Sequence, residues 1–134
     1  MKPNLAASSA LLALALATSI GARAQTVATE FPAYLPNQPI NIDFGGGPGH
    51  PTDWIGVYPV DIVPSGNPAS TLWAYVGGTQ SAGAGLTEGT VSFPNGLNAA
   101  GDWTAFLLLN DGYGIATQTN FTVLESGSPL VQAK

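Results

Sequence analysis

The stretch Asp53-Trp54-Ile55-Gly56-Val57-Tyr58-Pro59-Val60 carries apolar side chains on both faces of the β-strand that it predicts. Successive side chains of a strand point to opposite sides of the sheet, so Ile55 and Val57 share one face. Trp54 and Tyr58 share the other face. A sandwich of two sheets buries only one face of each sheet, so this second apolar face needs a cover of its own. A loop, a partner chain or a ligand could cover this face.

The same double-sided pattern recurs in Trp103–Leu109, where Phe106 and Leu108 oppose the other apolar side chains. Trp73 and Tyr75 alternate with smaller apolar residues and add two more rings to the second face. The pattern therefore predicts an apolar face on three neighbouring strands.

Two interpretations of this face stay open. In the first, the connection 61–71 folds over it, with Ile62 and Val63 forming a satellite core. In the second, the rings form an exposed aromatic surface that meets a ligand.

Outward from these strands, Gly and Pro interrupt the chain every few residues, and helical spacing of apolar residues is nearly missing after residue 25. Short alternating runs predict about seven strands. They are Thr26–Phe31, Pro39–Phe44, Asp53–Val60, Leu72–Val76, Thr90–Phe93, Asp102–Asn110 and a last one, Thr119–Leu124, after the turn Asp111–Gly114. This number and spacing predict an all-β fold, a single immunoglobulin-like antiparallel β-sandwich over residues 25–124 followed by a flexible tail, 125–134.

The first 24 residues have the pattern of an export signal. Lys2 precedes the Leu- and Ala-rich run Leu5–Ile20, and the small-residue triplet Ala22-Arg23-Ala24 precedes the expected cleavage before Gln25. The apolar run is short for a membrane span. We therefore expect a secreted or periplasmic protein with a signal peptide at residues 1–24.

Cleavage there would leave 110 residues that keep all eight carboxylates and one cation, Lys134, a formal net charge of −7. Such an acidic chain is unsuited to nucleic acid and to anionic membranes, because both are bound through Lys and Arg. The protein has no cysteine. Disulfides, thiolate zinc sites and cysteine nucleophiles are therefore excluded, and the core alone must stabilise the domain.

The sequence predicts no catalytic residue, no enzyme activity and no cofactor. Its one histidine, His50, lies in the glycine-rich loop Gly45–Thr52. No serine stands in a G-x-S-x-G elbow, and the glycine run lacks the lysine and the following helix of a phosphate-binding loop.

Carboxylates near turns form one set of candidate binding residues, at the loop end of the sandwich. The set is Asp53, Asp111 and the neighbouring Tyr113. Calcium is bound by carboxylate and carbonyl oxygens, and Asp43, Asp53, Asp102 and Asp111 all lie in or beside predicted turns, so a calcium-binding sandwich is one alternative. The other is structural, with Asp53 ordering the turn before its strand and Asp111 serving the hairpin turn.

The aromatic residues Trp54, Tyr58, Trp73 and Tyr75 form the second candidate set, since such rings stack on sugars or pack into protein interfaces. They predict a binding or accessory module whose ligand is a carbohydrate or a protein. A structural or matrix subunit that self-associates through an edge strand is the alternative, and the oligomeric state is left open. Trp103 is assigned a structural role, its indole N–H replacing the phenol of a tyrosine corner.

Four segments together resemble a known family. They are Asp53-Trp54-Ile55-Gly56-Val57-Tyr58-Pro59, Leu72-Trp73-Ala74-Tyr75, Gly101-x-Trp103-x-Ala105 and Leu108-Leu109-Asn110-Asp111-Gly112-Tyr113. The chain over about residues 50–124 resembles the DWIGIY type of immunoglobulin or fibronectin III-like domain. It is similar to the amino-terminal domain of purple acid phosphatases and, more distantly, to SKICH domains.

The resemblance implies a β-sandwich with an accessory, non-catalytic role, because the chemistry of those phosphatases lies in a separate metal-binding domain. No catalytic residue carries over. SKICH domains are associated with membrane or partner targeting, and the acidic, exported character of this sequence departs from that role. Trp103 also stands where the pattern usually has tyrosine.

Overall fold

The computed structural model describes residues 24–129, which form strands, turns and loops arranged as an all-β sandwich of two sheets. Its strands are β1 Thr26–Thr29, β2 Ala33–Tyr34, β3 Ile40–Gly45, β4 Trp54–Pro59, β5 Leu72–Tyr75, β6 Gly89–Phe93, β7 Gly101–Leu109 and β8 Gly114–Val123. One sheet has the order β1-β3-β6 and the other β2-β8-β7-β4-β5. Apart from Ala24, the predicted signal segment lies outside the described residues, as do residues 130–134 of the predicted tail. No helix among the described residues has the length and apolarity of a membrane span.

The strand count is eight because the short strand β2, which lies beyond the predicted first strand Thr26–Phe31, adds to the other sheet. Strand β1 ends at Thr29, whose hydroxyl donates to the carbonyl of Phe31 at 2.7 Å as the chain crosses over. Beyond the crossing, β2 pairs with β8 in parallel, and Tyr34 is fully buried. The sandwich therefore contains one parallel pairing in an otherwise antiparallel structure. The continuous alternation of residues 26–31 carries no signal of this crossing.

The main core lies between the two sheets and is formed by side chains from alternate positions of their inner faces. Ile55 and Val57 of β4 are both fully buried there. Trp103 of β7 joins them, and its indole N–H donates to the Ala99 carbonyl at 3.2 Å, which is the hydrogen bond predicted for it. These inner faces exclude water from a continuous apolar layer, the main stabilising contribution to such a fold.

A second apolar cluster lies on the outer face of the five-stranded sheet. Its buried members are Trp54, Tyr58, Phe106 and Leu108, and Ile62, Trp73 and Tyr75 pack against them. The connection between β4 and β5 folds over this face in part, because Ile62 packs on the cluster while Val63 is 73 % exposed. The cover is therefore a loop of this chain, and it is incomplete.

Gly56 makes the dense packing of this cluster possible. It lies opposite Trp73 on β5 and opposite Phe106 on β7. A β-carbon at this position would lie 2.7 Å from the Trp54 ring and 3.0 Å from the Tyr58 ring. The missing side chain thus allows the two rings that flank it on β4 to close over the strand.

We expect Gly56→Ala to lower the free energy of unfolding by about 1–3 kcal/mol, the usual range for overpacking a filled site. Gly114→Ala is the matched control, because a β-carbon there meets nothing within 4 Å. Urea unfolding of both variants measures the difference. Equal stability of the two variants would contradict the assigned role of Gly56.

Candidate functional site

A cavity of about 270 Å³ opens where the second cluster is left uncovered. Its walls come from strands β4 and β5, from the connection 60–71 and from the turn after β7. The lining residues are Trp54, Tyr58, Gly66, Ala69, Ser70, Trp73, Asp111 and Tyr113. This aromatic cavity is slightly smaller than the roughly 300–1,000 Å³ of typical small-molecule sites, so its size suits a single ring more than an extended ligand.

The rings of Trp73 and Tyr113 both pack edge-on against the ring of Trp54. The ring of Trp73 lies 6.2 Å away with an interplanar angle of 83°, and that of Tyr113 lies 5.9 Å away at 81°. Tyr75 packs edge-on against Trp73 at 5.2 Å but does not line the cavity. The rings are therefore nearly perpendicular to one another. This arrangement forms the walls of a cavity, whereas parallel rings would form a flat surface.

The turn between β7 and β8 carries Asp111 and Tyr113 to the cavity. Asn110 and Asp111 have φ angles of 48° and 63°, and the N–H of Gly112 donates to the Leu109 carbonyl at 2.9 Å. Positive φ at both central positions is typical of a type I′ hairpin turn, where Asn and Asp are favoured. The indole N–H of Trp54 donates to the Gly112 carbonyl at 2.9 Å and fixes this turn against the cluster.

Asp53 holds the same turn from the other side. It is 1 % exposed, and its carboxylate oxygens accept the N–H of Asn110 at 2.9 Å and the N–H of His50 at 3.1 Å. The N–H of Asp111 also donates to the carbonyl of Thr52 at 2.7 Å. Asp53, predicted as a loop-end binding residue, thus has its oxygens engaged and does not line the cavity, so we leave it out of the binding set.

Asp111 is the acidic group of the cavity. Its Oδ1 accepts the hydroxyl of Tyr75 at 2.8 Å. This hydrogen bond raises the pKa of the Tyr75 phenol above its ordinary value, because the carboxylate stabilises the protonated form. Tyr75 therefore contributes by orienting Asp111 and not by contacting the cavity itself.

Tyr113 closes one side of the cavity by reaching the connection 60–71. A β-carbon on Gly66 would lie 2.6 Å from the Tyr113 hydroxyl, so this ring rests on bare backbone. Gly66 has a φ of 82°, which disfavours any other residue there. Tyr113 itself is 47 % exposed and is the most accessible ring of the cavity wall.

Tyr58 lines the cavity and is fully buried, and within residues 24–129 its hydroxyl has no hydrogen-bond partner. Burial raises the pKa of this phenol, the nearby Tyr113 raises it further, and the side chain of Ser70 lowers it without reaching hydrogen-bond geometry. Both of these neighbours line the cavity. An orphaned buried hydroxyl costs about 1–3 kcal/mol and is available to a ligand atom that reaches it.

The structure thus merges the two predicted sets into one site. It brings Trp54, Tyr58 and Trp73 from the aromatic set together with Asp111 and Tyr113 from the loop-end set. The four predicted aromatic residues do not form one exposed surface, because Trp54 and Tyr58 are buried beneath the loop and the turn.

Sequence reasoning offered the connection 61–71 as a cover for this face but did not predict that its residues line a cavity. Gly66, Ala69 and Ser70 line the cavity, but this Pro-, Ser- and Gly-rich segment has no periodicity that would assign its side chains to a face. Among the described residues no group of three or more His, Cys, Asp or Glu side chains could hold a metal ion. The calcium alternative stays a prediction.

We expect Asp53→Asn to lower the free energy of unfolding by about 1–3 kcal/mol, because an amide can accept only one of the two N–H groups and leaves the other without a partner. Asp102→Asn is the control, since Asp102 is exposed and its carboxylate accepts the Thr122 hydroxyl at 2.9 Å. Thermal unfolding compares the two. An equal loss in both variants would show that the buried carboxylate is not special.

The two fully buried tyrosines give a matched test of the orphaned hydroxyl. We expect Tyr58→Phe to leave the free energy of unfolding unchanged or to raise it by up to about 1–3 kcal/mol. Tyr34→Phe should lower it by about 1 kcal/mol, because the Tyr34 hydroxyl accepts the N–H of Phe31 at 3.0 Å. Denaturant unfolding measures both, and a larger loss for Tyr58→Phe than for Tyr34→Phe would be the opposite of this expectation.

Comparison of the chain with known protein families, with curated proteins and with solved structures gives no match.

Proposed function

We propose that this protein is an exported, non-catalytic binding module that holds a carbohydrate in the aromatic cavity. One observation carries the proposal: the rings of Trp54, Trp73 and Tyr113 line a single opening together with the Asp111 carboxylate. Aromatic rings stack on the apolar faces of sugars, while hydroxyls and carboxylates bind the sugar hydroxyl groups. A cavity with both kinds of wall suits a sugar ring better than a flat protein surface.

A binding role fits the cavity better than a hydrolytic one. Glycoside hydrolysis uses a pair of carboxyl groups on either side of the scissile bond. Of the described residues that line this cavity, Asp111 is the one with a carboxylate, and it is hydrogen-bonded to Tyr75. Binding requires no second carboxylate.

We also propose that the domain is of the immunoglobulin-like, DWIGIY type. The sheet orders support this, because β1-β3-β6 corresponds to strands A-B-E of an immunoglobulin domain and β8-β7-β4 to strands G-F-C, with β5 and β2 added at the two edges of the second sheet. Export is supported by the signal pattern of residues 1–24. An accessory binding role in the periplasm or outside the cell follows from the two together. Self-association through an edge strand stays the alternative, and particle size at increasing protein concentration would reveal it.

The experiment is affinity electrophoresis of the protein through a panel of polysaccharides, with Tyr113→Ala and Ile115→Ala as a matched pair. The two side chains are similarly exposed, at 47 % and 43 %, but only Tyr113 lines the cavity. We expect Tyr113→Ala to weaken binding about tenfold or more, as for the loss of an aromatic contact residue. Its stability should fall by only about 1 kcal/mol, from the lost contact with Trp54.

We expect Ile115→Ala to migrate like the unmodified protein. Retardation that is the same in both variants would place the carbohydrate site elsewhere. Lack of retardation by every polysaccharide, including those with charged sugars, would overturn the proposed function.

A further inference from the structure

The described residues carry carboxylates but no Lys or Arg. All eight carboxylates of the protein lie between residues 30 and 125, and residues 24–129 contain no Lys or Arg. Asp111 places one of these carboxylates in the cavity wall itself. Within residues 24–129 no Lys or Arg offsets it, so these residues produce a field at the opening that attracts cations and repels anions.

The remaining walls are also suited to a cation. The π faces of Trp and Tyr attract an ammonium group that lies within about 6 Å of the ring centre, and this attraction is stronger where water is excluded. Trp54 and Trp73 are partly or wholly withdrawn from solvent, and Tyr113 stands at the opening. A carboxylate beside three rings is therefore a favourable environment for a protonated amine.

The Tyr58 hydroxyl favours a ligand that carries a polar group in addition to an amine. The Tyr58 hydroxyl is fully buried, lacks a partner among the described residues, and has Ser70 as a neighbour in the same wall. A ligand that satisfies it must carry a hydroxyl or another polar atom some distance from its positive charge. A simple alkylammonium ion does not have such a group, whereas a sugar ring has several.

From these three features we propose that the aromatic cavity binds an amino sugar, with its protonated amine beside Asp111 and the aromatic rings and with a ring hydroxyl toward Tyr58. This inference rests on the proposed function, since it names the class of carbohydrate for that same site. It predicts selection for a protonated amine among sugars that share the same backbone.

The test compares a glucosamine tetramer with an N-acetylglucosamine tetramer by isothermal titration calorimetry, at a pH that protonates the free amine. The two probes share their backbone and differ at C2 of each ring, where one carries a protonated amine and the other a neutral acetamido group. We expect the glucosamine tetramer to bind at least about tenfold more tightly and to lose affinity as salt is added. Equal affinity for both tetramers would overturn the amino-sugar assignment.

Two variants separate the cavity from the overall charge. Asp111→Asn keeps a residue that tolerates the positive φ of 63° and a carbonyl that still accepts the Tyr75 hydroxyl. Asp61→Asn makes the same charge change at an exposed position outside the cavity. We expect Asp111→Asn to remove most of the preference for the glucosamine tetramer and Asp61→Asn to retain it.

The outcomes distinguish this inference from the function that it rests on. Equal losses in the two variants would indicate attraction of a polycation to an acidic protein and would overturn the cavity assignment. Binding of a neutral polysaccharide but of neither tetramer would overturn the amino sugar and leave the carbohydrate function standing. Failure of every carbohydrate to bind would overturn both.

Discussion

The buried carboxylate of Asp53 is the constraint on which the cavity end of this sandwich depends. A carboxylate withdrawn from water is strongly unfavourable unless hydrogen bonds replace its hydration, and here the N–H groups of His50 and Asn110 do so. The backbone N–H of Asp53 donates to the His50 carbonyl, and its own carbonyl accepts the N–H of Val76. One residue thus joins the glycine-rich loop, the hairpin turn and the chain that follows β5.

The geometry of the cavity follows from that junction. Asp53 is followed at once by Trp54, so the residue that fixes the turn by its carboxylate is adjacent to the one that fixes it by an indole N–H. The hairpin turn between β7 and β8 then carries Asp111 and Tyr113 to the cavity wall. Strand alternation then places Gly56 and Tyr58 on the same face as Trp54. The residues that shape the site are also residues that stabilise the fold, so exposed wall residues are the ones whose substitution reports on binding alone.

How much of this could be predicted depends on how locally each feature is encoded. The two-sheet architecture and the doubly apolar strands follow from alternation, which Ile55 and Trp54 express within consecutive positions. The crossing at residues 30–32 could not be predicted, because it depends on a hydroxyl of Thr29 and on the burial of Tyr34 against a strand far along the chain. That the aromatic set and the loop-end set share one cavity could likewise not be predicted from the sequence. It results from two hydrogen bonds whose partners are far apart in the chain, Asp53 with Asn110 and Trp54 with Gly112.

The rigidity of the site bears on how tightly such a small cavity can bind. Binding loses affinity whenever side chains or loops must be ordered, and a wall fixed beforehand avoids that loss. The ring of Trp54 is fixed by its hydrogen bond to Gly112 and Asp111 is oriented by Tyr75. Tyr113, Asp111 and most of the connection around Gly66 are exposed. Under the proposed function, a wall that is fixed before binding lets a small ligand keep most of the binding free energy of its few contacts.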